Sequence, residues 1–231
     1  MKPTLTTHLL TLTPSAYKSA TTHPFLTAAA TNSLPRSTIL KWLLQDRHYA
    51  LSYISFIGSL LSKLTIPTTS SRLSSLSWKI ATTLIFSLDN IKSELELFDK
   101  TLIEEFGWSS EDEVGVEPIT RAYQDLFAGA GAGKAGLLEG MVVLWASERC
   151  YFDAWGFAKA SAESTGEGVM TKVFIPNWTS EGFKQFVDTL EELVDGIAKE
   201  EGVEVGGEIW GRSEVVWRQV LWLEERFWPD V

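Results

Sequence analysis

Apolar residues recur every three or four positions along most of the chain, the period of helices with one buried face, and no run alternates with period two. Thr13-Pro14 sets a capping residue before a proline at the first helical position. A short helix is therefore expected from there toward Thr22, broken and restarted at His23-Pro24. Asn32-Ser33-Leu34-Pro35 is a stop followed by a start. The helix after it runs to about Lys63, with Leu40, Leu43, Leu44 and Ala50 inward and Thr65-Ile66-Pro67 closing it. From Ser71 to about Phe106 the apolar positions from Leu73 through Leu102 step by three and four, as one very long helix or two end to end. Residues 107–115 form an acidic loop, Pro118 opens a short helix holding Tyr123, and Gly129 to Gly136 reads as a flexible linker. An apolar helix from Val142 to Lys159 follows and frays in the polar run 161–168. Residues 171–178 (TKVFIPNW) read as an extended connector. Thr179 or Ser180 caps a helix that carries Phe183, Phe186, Leu190, Leu193, Val194 and Ile197 to Gly202. A last helix, from near Ser213, carries Val216, Val220, Leu221, Leu223, Glu224 and Phe227. The expected fold is all-α, a multi-helical bundle in a single domain spanning 1–231, with residues 1–12 as an N-terminal arm.

Three acids interrupt this pattern. In the helix 142–159, Glu148 shares a face with Tyr151, Phe152 and Trp155, while Cys150 points about 160° to 200° away from it. Asp46 shares a face with Tyr49 and Tyr53, and Glu224 with Phe227 and Trp228. A helical carboxylate is ordinarily solvated or paired with a base. One set among Leu and Trp must recover its lost hydration from hydrogen bonds or shift its pKa, and such groups gather at functional sites. If the three faces converge, they form an acidic slot lined by Tyr49, Tyr53, Tyr123, Tyr151 and Trp178, suited to a flat heteroaromatic ring bearing amino groups. Stacking would hold the ring while carboxylates accept from N–H donors and transfer protons.

Composition narrows the classes. Ten Trp and twelve Phe among 231 residues supply a large core, and a net charge of −10 with no basic patch argues against nucleic acid and anionic membrane as partners. One cysteine cannot form an intrachain disulfide, which fits a reducing compartment and a cytoplasmic protein. Lys79 breaks the longest apolar run, so no membrane span is expected. Residues 1–45 contain no acid, a faint likeness to a transit peptide, but they have no Arg-rich amphipathic face and read as an ordinary arm.

Gly131, Gly133 and Gly136 match a dinucleotide-binding spacing, but no strand precedes them. A phosphate loop would need Gly and Ser or Thr where the chain has Ala128 and Ala135. None of the three histidines has a Glu three residues before it, so no metal or other cofactor is expected; haem on His23 is the weaker alternative to a structural role in the His-Pro-Phe turn. Cys150, inside an apolar helix beside Arg149 as the one obvious cation, reads as a small core residue rather than a nucleophile.

The segments His23-Pro24-Phe25, Leu43-Leu44-Gln45-Asp46 with Tyr49, Ala122-Tyr123, Trp178 with Ser180-Glu181 and Phe183, and Glu224 with Phe227-Trp228 resemble the TenA (thiaminase II-like) family, in its order, from about residue 20 to 228. The resemblance implies a heme-oxygenase-like bundle, a homo-oligomer (dimer or tetramer), and a hydrolase of thiamin salvage with an aminopyrimidine as its small-molecule partner. One family branch carries a catalytic cysteine after a proline; another has a glutamate instead. Trp145-Ala146-Ser147-Glu148-Arg149-Cys150-Tyr151 looks like the glutamate branch, since Cys150 lacks the proline and falls two positions out of register. Carried over, Asp46 would bind the ring nitrogen and 4-amino group, while Tyr49, Tyr53 and Tyr123 line the ring. Glu224 would shuttle protons and Glu148 would take the place of the thiol. Where the cysteine branch has a tyrosine this chain has Trp178, so stacking alone is expected there. Tyr151 and Phe227 complete the expected binding residues. A non-catalytic pyrimidine-binding or regulatory protein on the same fold is the alternative.

Overall fold

The most apolar periodic stretch becomes the axis of the molecule. In the computed structural model, which describes residues 3–161 and 167–231, helix α7 (Leu137–Ser161) buries every residue from Gly140 to Ser147, then Cys150, Ala154, Trp155 and Ala158. A helix apolar around most of its circumference needs neighbours on all sides. It has them in α2 (Pro14–Thr21), α3 (Pro24–Ala30), α4 (Arg36–Ser62), α6 (Pro118–Gly131), α8 (Ile175–Trp178), α9 (Glu181–Glu200) and α10 (Glu208–Phe227). Helix α5 (Leu76–Phe106) lies along α4 and α9, and α1 (Leu5–Leu12) rests on α9 and α10. The described residues hold helices and no strand, an all-α single domain as expected.

Local chemistry sets the ends. Pro14, Pro24 and Pro118 stand in first turns, where no N–H is needed. The hydroxyl of Ser180 accepts from the Phe183 N–H at 3.2 Å and caps α9. The end of α5 falls on Gly107 at φ 66°, where its N–H donates to the Ile103 carbonyl and the Trp108 N–H to that of Leu102, both at 3.0 Å. Nothing lies within 4 Å of where a Cβ would stand at Gly107. Gly107→Ala is therefore expected to cost about 1 kcal/mol of backbone strain alone, read as a lower urea midpoint with an unchanged m value.

Several boundaries differ from the sequence reading. The long periodic run is one continuous helix that begins at Leu76, after a 3₁₀ turn at Ser70–Ser74 that leaves Leu73 65% exposed. Residues 171–178 are helical rather than extended: a π-helical turn, Met170–Phe174, runs into α8 and buries Met170, Phe174, Ile175 and Trp178. In an all-helical interior a buried segment finds no strand to pair with and must satisfy its backbone internally. Helix α10 starts five residues before Ser213, at Glu208, and buries Trp210. The expected arm is a packed helix in which Leu5 and Leu9 are buried, and Asp195 accepts from the Thr6 N–H at 3.0 Å and hydroxyl at 2.8 Å. The glycine run is partly the last turn of α6, and Lys63 Nζ donates to the Ala135 carbonyl at 2.7 Å across the rest. Residues 162–166 of the run expected to fray lie outside the described residues.

Candidate active site

Gln45 shows how the fold delivers a site residue. Its Oε1 accepts from the Glu117 N–H and the Thr120 hydroxyl, both at 2.9 Å, and its Nε2 donates to the Gly115 carbonyl at 3.0 Å. These bonds anchor the start of α6 on α4 and bring Tyr123 beside Tyr49, their rings 5.0 Å apart edge to face. Phe127 stacks on Phe56 at 4.5 Å behind them, and Phe227 closes the group from α10. A second cluster supplies Tyr151 and Trp178 to the same cavity: Trp178 stacks between Trp155 and Phe174, each at 4.9 Å, and Tyr151 meets Trp178 at 5.0 Å. Such ring pairs contribute about 0.5–1.5 kcal/mol each beyond burial, so both clusters are stiff.

Both clusters border a cavity of about 200 Å³, room for one small ring and its substituents. Four carboxyls from four helices border it: Asp46 from α4, Glu94 from α5, Glu148 from α7 and Glu224 from α10. Each is held by one aromatic donor. Tyr151 Oη donates to Asp46 Oδ2 at 2.8 Å and Tyr53 Oη to Glu148 Oε1 at 2.8 Å. The Tyr123 hydroxyl donates to Glu224, and the Trp178 indole N–H to Glu94. Exposed Phe86, Asn90, Asn177 and Ser180 form the solvent side.

Burial dominates the electrostatics. Loss of hydration raises Asp46 to about 8, with the charges of Glu94 and Glu148 adding to the rise and the Tyr151 bond opposing it. Glu148 and Glu224 are likewise raised by burial to about 8, and Glu94 to about 7, the bonds from Tyr53, Tyr123 and Trp178 working in the other direction. Glu94 and Glu148 are half-buried, and both border the cavity. Tyr49, Tyr53, Tyr123 and Tyr151 are pushed well above the usual phenol range by burial and stay neutral donors. Near neutrality the four acids titrate together, so the cavity holds both proton donors and proton acceptors. Among the described residues no group of three His, Cys, Asp or Glu is arranged to hold a metal; the carboxyls ring a space instead of meeting at a point.

Asp46, Tyr49, Tyr53, Tyr123, Glu148, Tyr151, Trp178, Glu224 and Phe227 all border this one cavity. Phe152, Trp155 and Trp228 do not. Trp155 and Trp228 pack behind Tyr151, and Phe152 meets Phe183 at 6.0 Å. Cys150 is fully buried and off the cavity, and burial pushes its thiol well up, away from the thiolate a nucleophile needs. His23 Nδ1 accepts from the Phe25 N–H at 3.2 Å, a turn-capping role. At Trp178, where stacking alone was expected, the indole adds a hydrogen bond. Sequence reasoning missed Glu94, although the signal was present: Ser87, Ile91, Glu94 and Phe98 step by four, three and four along α5, an acid on an apolar stripe with an aromatic one turn on.

The class is thus an all-α bundle that encloses one acidic, ring-walled cavity between facing helices. Residues 13–230 match the TENA/THI-4/PQQC family, and the chain belongs to it. The fold is shared with the TenA homologue of Pyrococcus furiosus (TM-score 0.80, 21% identity, 97% of this chain and 98% of that one). It is shared too with a structure described as a TenA family transcription regulator from Silicibacter sp. (TM-score 0.81, 18% identity, 97% and 94%). A Fusarium pseudograminearum protein named "Probable transcription factor" is 29% identical over 99% of this chain. The chain spans about half, 52%, of that relative's length.

Proposed function

We propose that this chain is a cytosolic aminopyrimidine hydrolase of thiamin salvage, of the branch in which a glutamate stands in for the family's cysteine. What carries the reading is that four carboxyls with pKa near neutrality border a cavity the size of one ring, while the thiol is buried elsewhere. The pyrimidine lies against the Tyr49–Phe227 and Tyr151–Trp178 clusters. Asp46 takes the ring nitrogen and the 4-amino group. Glu148, steadied by Tyr53, stands at the reacting carbon or amide, and Glu224, steadied by Tyr123, moves a proton between the attacking water and the departing nitrogen. The free amine is converted with water to the hydroxymethyl pyrimidine and ammonia, and an N-formyl substrate to the amine and formate. A homo-oligomer suits the apolar side chains left exposed on α4 and α5, among them Leu51, Ile54, Ile85 and Phe86.

The test is steady-state hydrolysis of N-formyl-4-amino-5-aminomethyl-2-methylpyrimidine and of its free amine. Cys150→Ala is expected to keep turnover within about two-fold, and Glu148→Gln to lower kcat by roughly 100-fold or more. An inactive Cys150→Ala beside an active Glu148→Gln would reverse the branch assignment. The names of the Fusarium and Silicibacter proteins favour a second reading, a regulatory protein that binds the pyrimidine without turning it over. Tight binding with no product in the same assay would select it.

A further inference from the structure

Of the four carboxyls, Glu94 is the one that the proposed chemistry leaves without a task. No Lys, Arg or His is among the described residues that border the cavity, so negative charge inside it is balanced by a bound proton or by the ligand itself. Among the described residues, no hydrogen bond reaches any of the four acids besides its single aromatic donor, which leaves acceptor capacity at each. The donors differ in kind. Tyr53, Tyr123 and Tyr151 present hydroxyls that both give and accept, so Glu148, Glu224 and Asp46 keep their partner whether neutral or ionised. Trp178 presents an indole N–H that only gives: like the tyrosine bonds it favours the ionised form of its acid, but unlike a hydroxyl it cannot accept the proton of a neutral one. Glu94 is also the acid one turn beyond Asn90, on the solvent side of the cavity.

When ionised, an acceptor of this kind suits a cation with several N–H donors. The aminomethyl group of the free pyrimidine is protonated at neutral pH and offers three. The N-formyl compound is neutral there, offers one, and brings a carbonyl oxygen into a cavity already rich in acceptors. We propose that Glu94, oriented by the Trp178 indole, is the specificity-determining residue of the cavity: it receives the ammonium group and selects the free amine over its N-formyl derivative. This inference rests on the aminopyrimidine reading above. The step balances as R–CH2–NH3⁺ plus water giving R–CH2–OH plus NH4⁺: the C–N bond breaks, the C–O bond forms, and the proton lost by water leaves on ammonia by way of Glu224.

Two measurements test it. By calorimetry, the wild-type protein is expected to bind the free amine roughly 10- to 100-fold more tightly than the neutral hydroxymethyl compound of the same shape, the scale of one charge-assisted hydrogen bond. Glu94→Gln, which keeps the shape and removes the charge, should bring the two within about three-fold and lower the kcat/KM ratio of amine to amide by the same factor. Trp178→Phe, which keeps a ring and removes the N–H, should move the onset of amine preference to higher pH, because the lost bond had lowered the Glu94 pKa. Equal binding of amine and alcohol by the wild type, or an unchanged ratio in a folded Glu94→Gln, overturns the assignment. Should Glu94→Gln fail to fold, the wild-type ratio and Trp178→Phe decide. Amine preference without turnover rejects the enzyme and keeps Glu94 as the selector; turnover without amine preference does the reverse; binding of neither compound overturns both.

Discussion

Glu224→Gln is expected to lower kcat for the aminopyrimidine substrate by roughly 10²- to 10⁴-fold, with KM little changed. Glu224 is 5% exposed, and burial raises its pKa to about 8, so near neutrality it can both take a proton and return one. The Tyr123 hydroxyl fixes its position, and the bonds of Gln45 to the α6 start fix Tyr123. Glutamine fills the same space and can still accept from Tyr123, but it carries no exchangeable acid proton. The loss is therefore one of proton transfer and not of packing, and a circular dichroism melt should show the variant folded. A kcat within a few-fold of wild type would move the proton relay to another acid. Tyr123→Phe is a graded version, since it frees the carboxyl without removing it.

The second large effect is on stability against pH. Asp46, Glu148 and Glu224 have ordinary values of 3.8, 4.5 and 4.5 and stand at about 8 in the folded chain. Between those limits the folded state holds protons that the unfolded state has released. Their contribution is complete below about pH 4, falls as pH rises, and is gone once pH passes about 8, with a slope of up to about 1.4 kcal/mol per unit for each group. The chain is thus expected to resist urea better near pH 6 than near pH 8. Glu148→Gln removes one such group, so its stability relative to wild type should climb steadily between about pH 5 and 8. Taking the difference between the two curves cancels the titrating groups outside the cavity, and leaves Glu148 together with its charge coupling to Asp46 and Glu224. Parallel curves would mean that Glu148 is hydrated as in the unfolded chain, and the cavity would lose its electrostatic character.

Much of the architecture was legible because helices announce themselves locally. Pro14, Pro24 and Pro118 at first turns, and the apolar stripe of α5, need no knowledge of distant residues. The errors fell where a local signal was weak or was overruled by packing. Residues 171–178 carry Val173, Phe174, Ile175 and Pro176, a composition that favours extended chain, but burial against α3 and α7 makes them helical. Leu73 fits the period of α5 and yet lies outside it, because Ser75 caps the helix two residues later.

The sequence by itself determined that the chain would be helical and that Asp46, Glu148 and Glu224 sit on aromatic faces, since helical period and side-chain chemistry are properties of neighbours along the chain. Only the tertiary structure decided that those faces border a single space and that Glu94 joins them through the Trp178 indole; that Cys150 looks away was already legible in the helical period, and its full burial bears this out. Which faces meet is set by how α4, α5, α6, α9 and α10 pack around α7, a matter of volume and shape summed over many side chains. That sum has no short-range signature. The raised pKa values follow from it, because the desolvation of a carboxyl depends on everything that surrounds it.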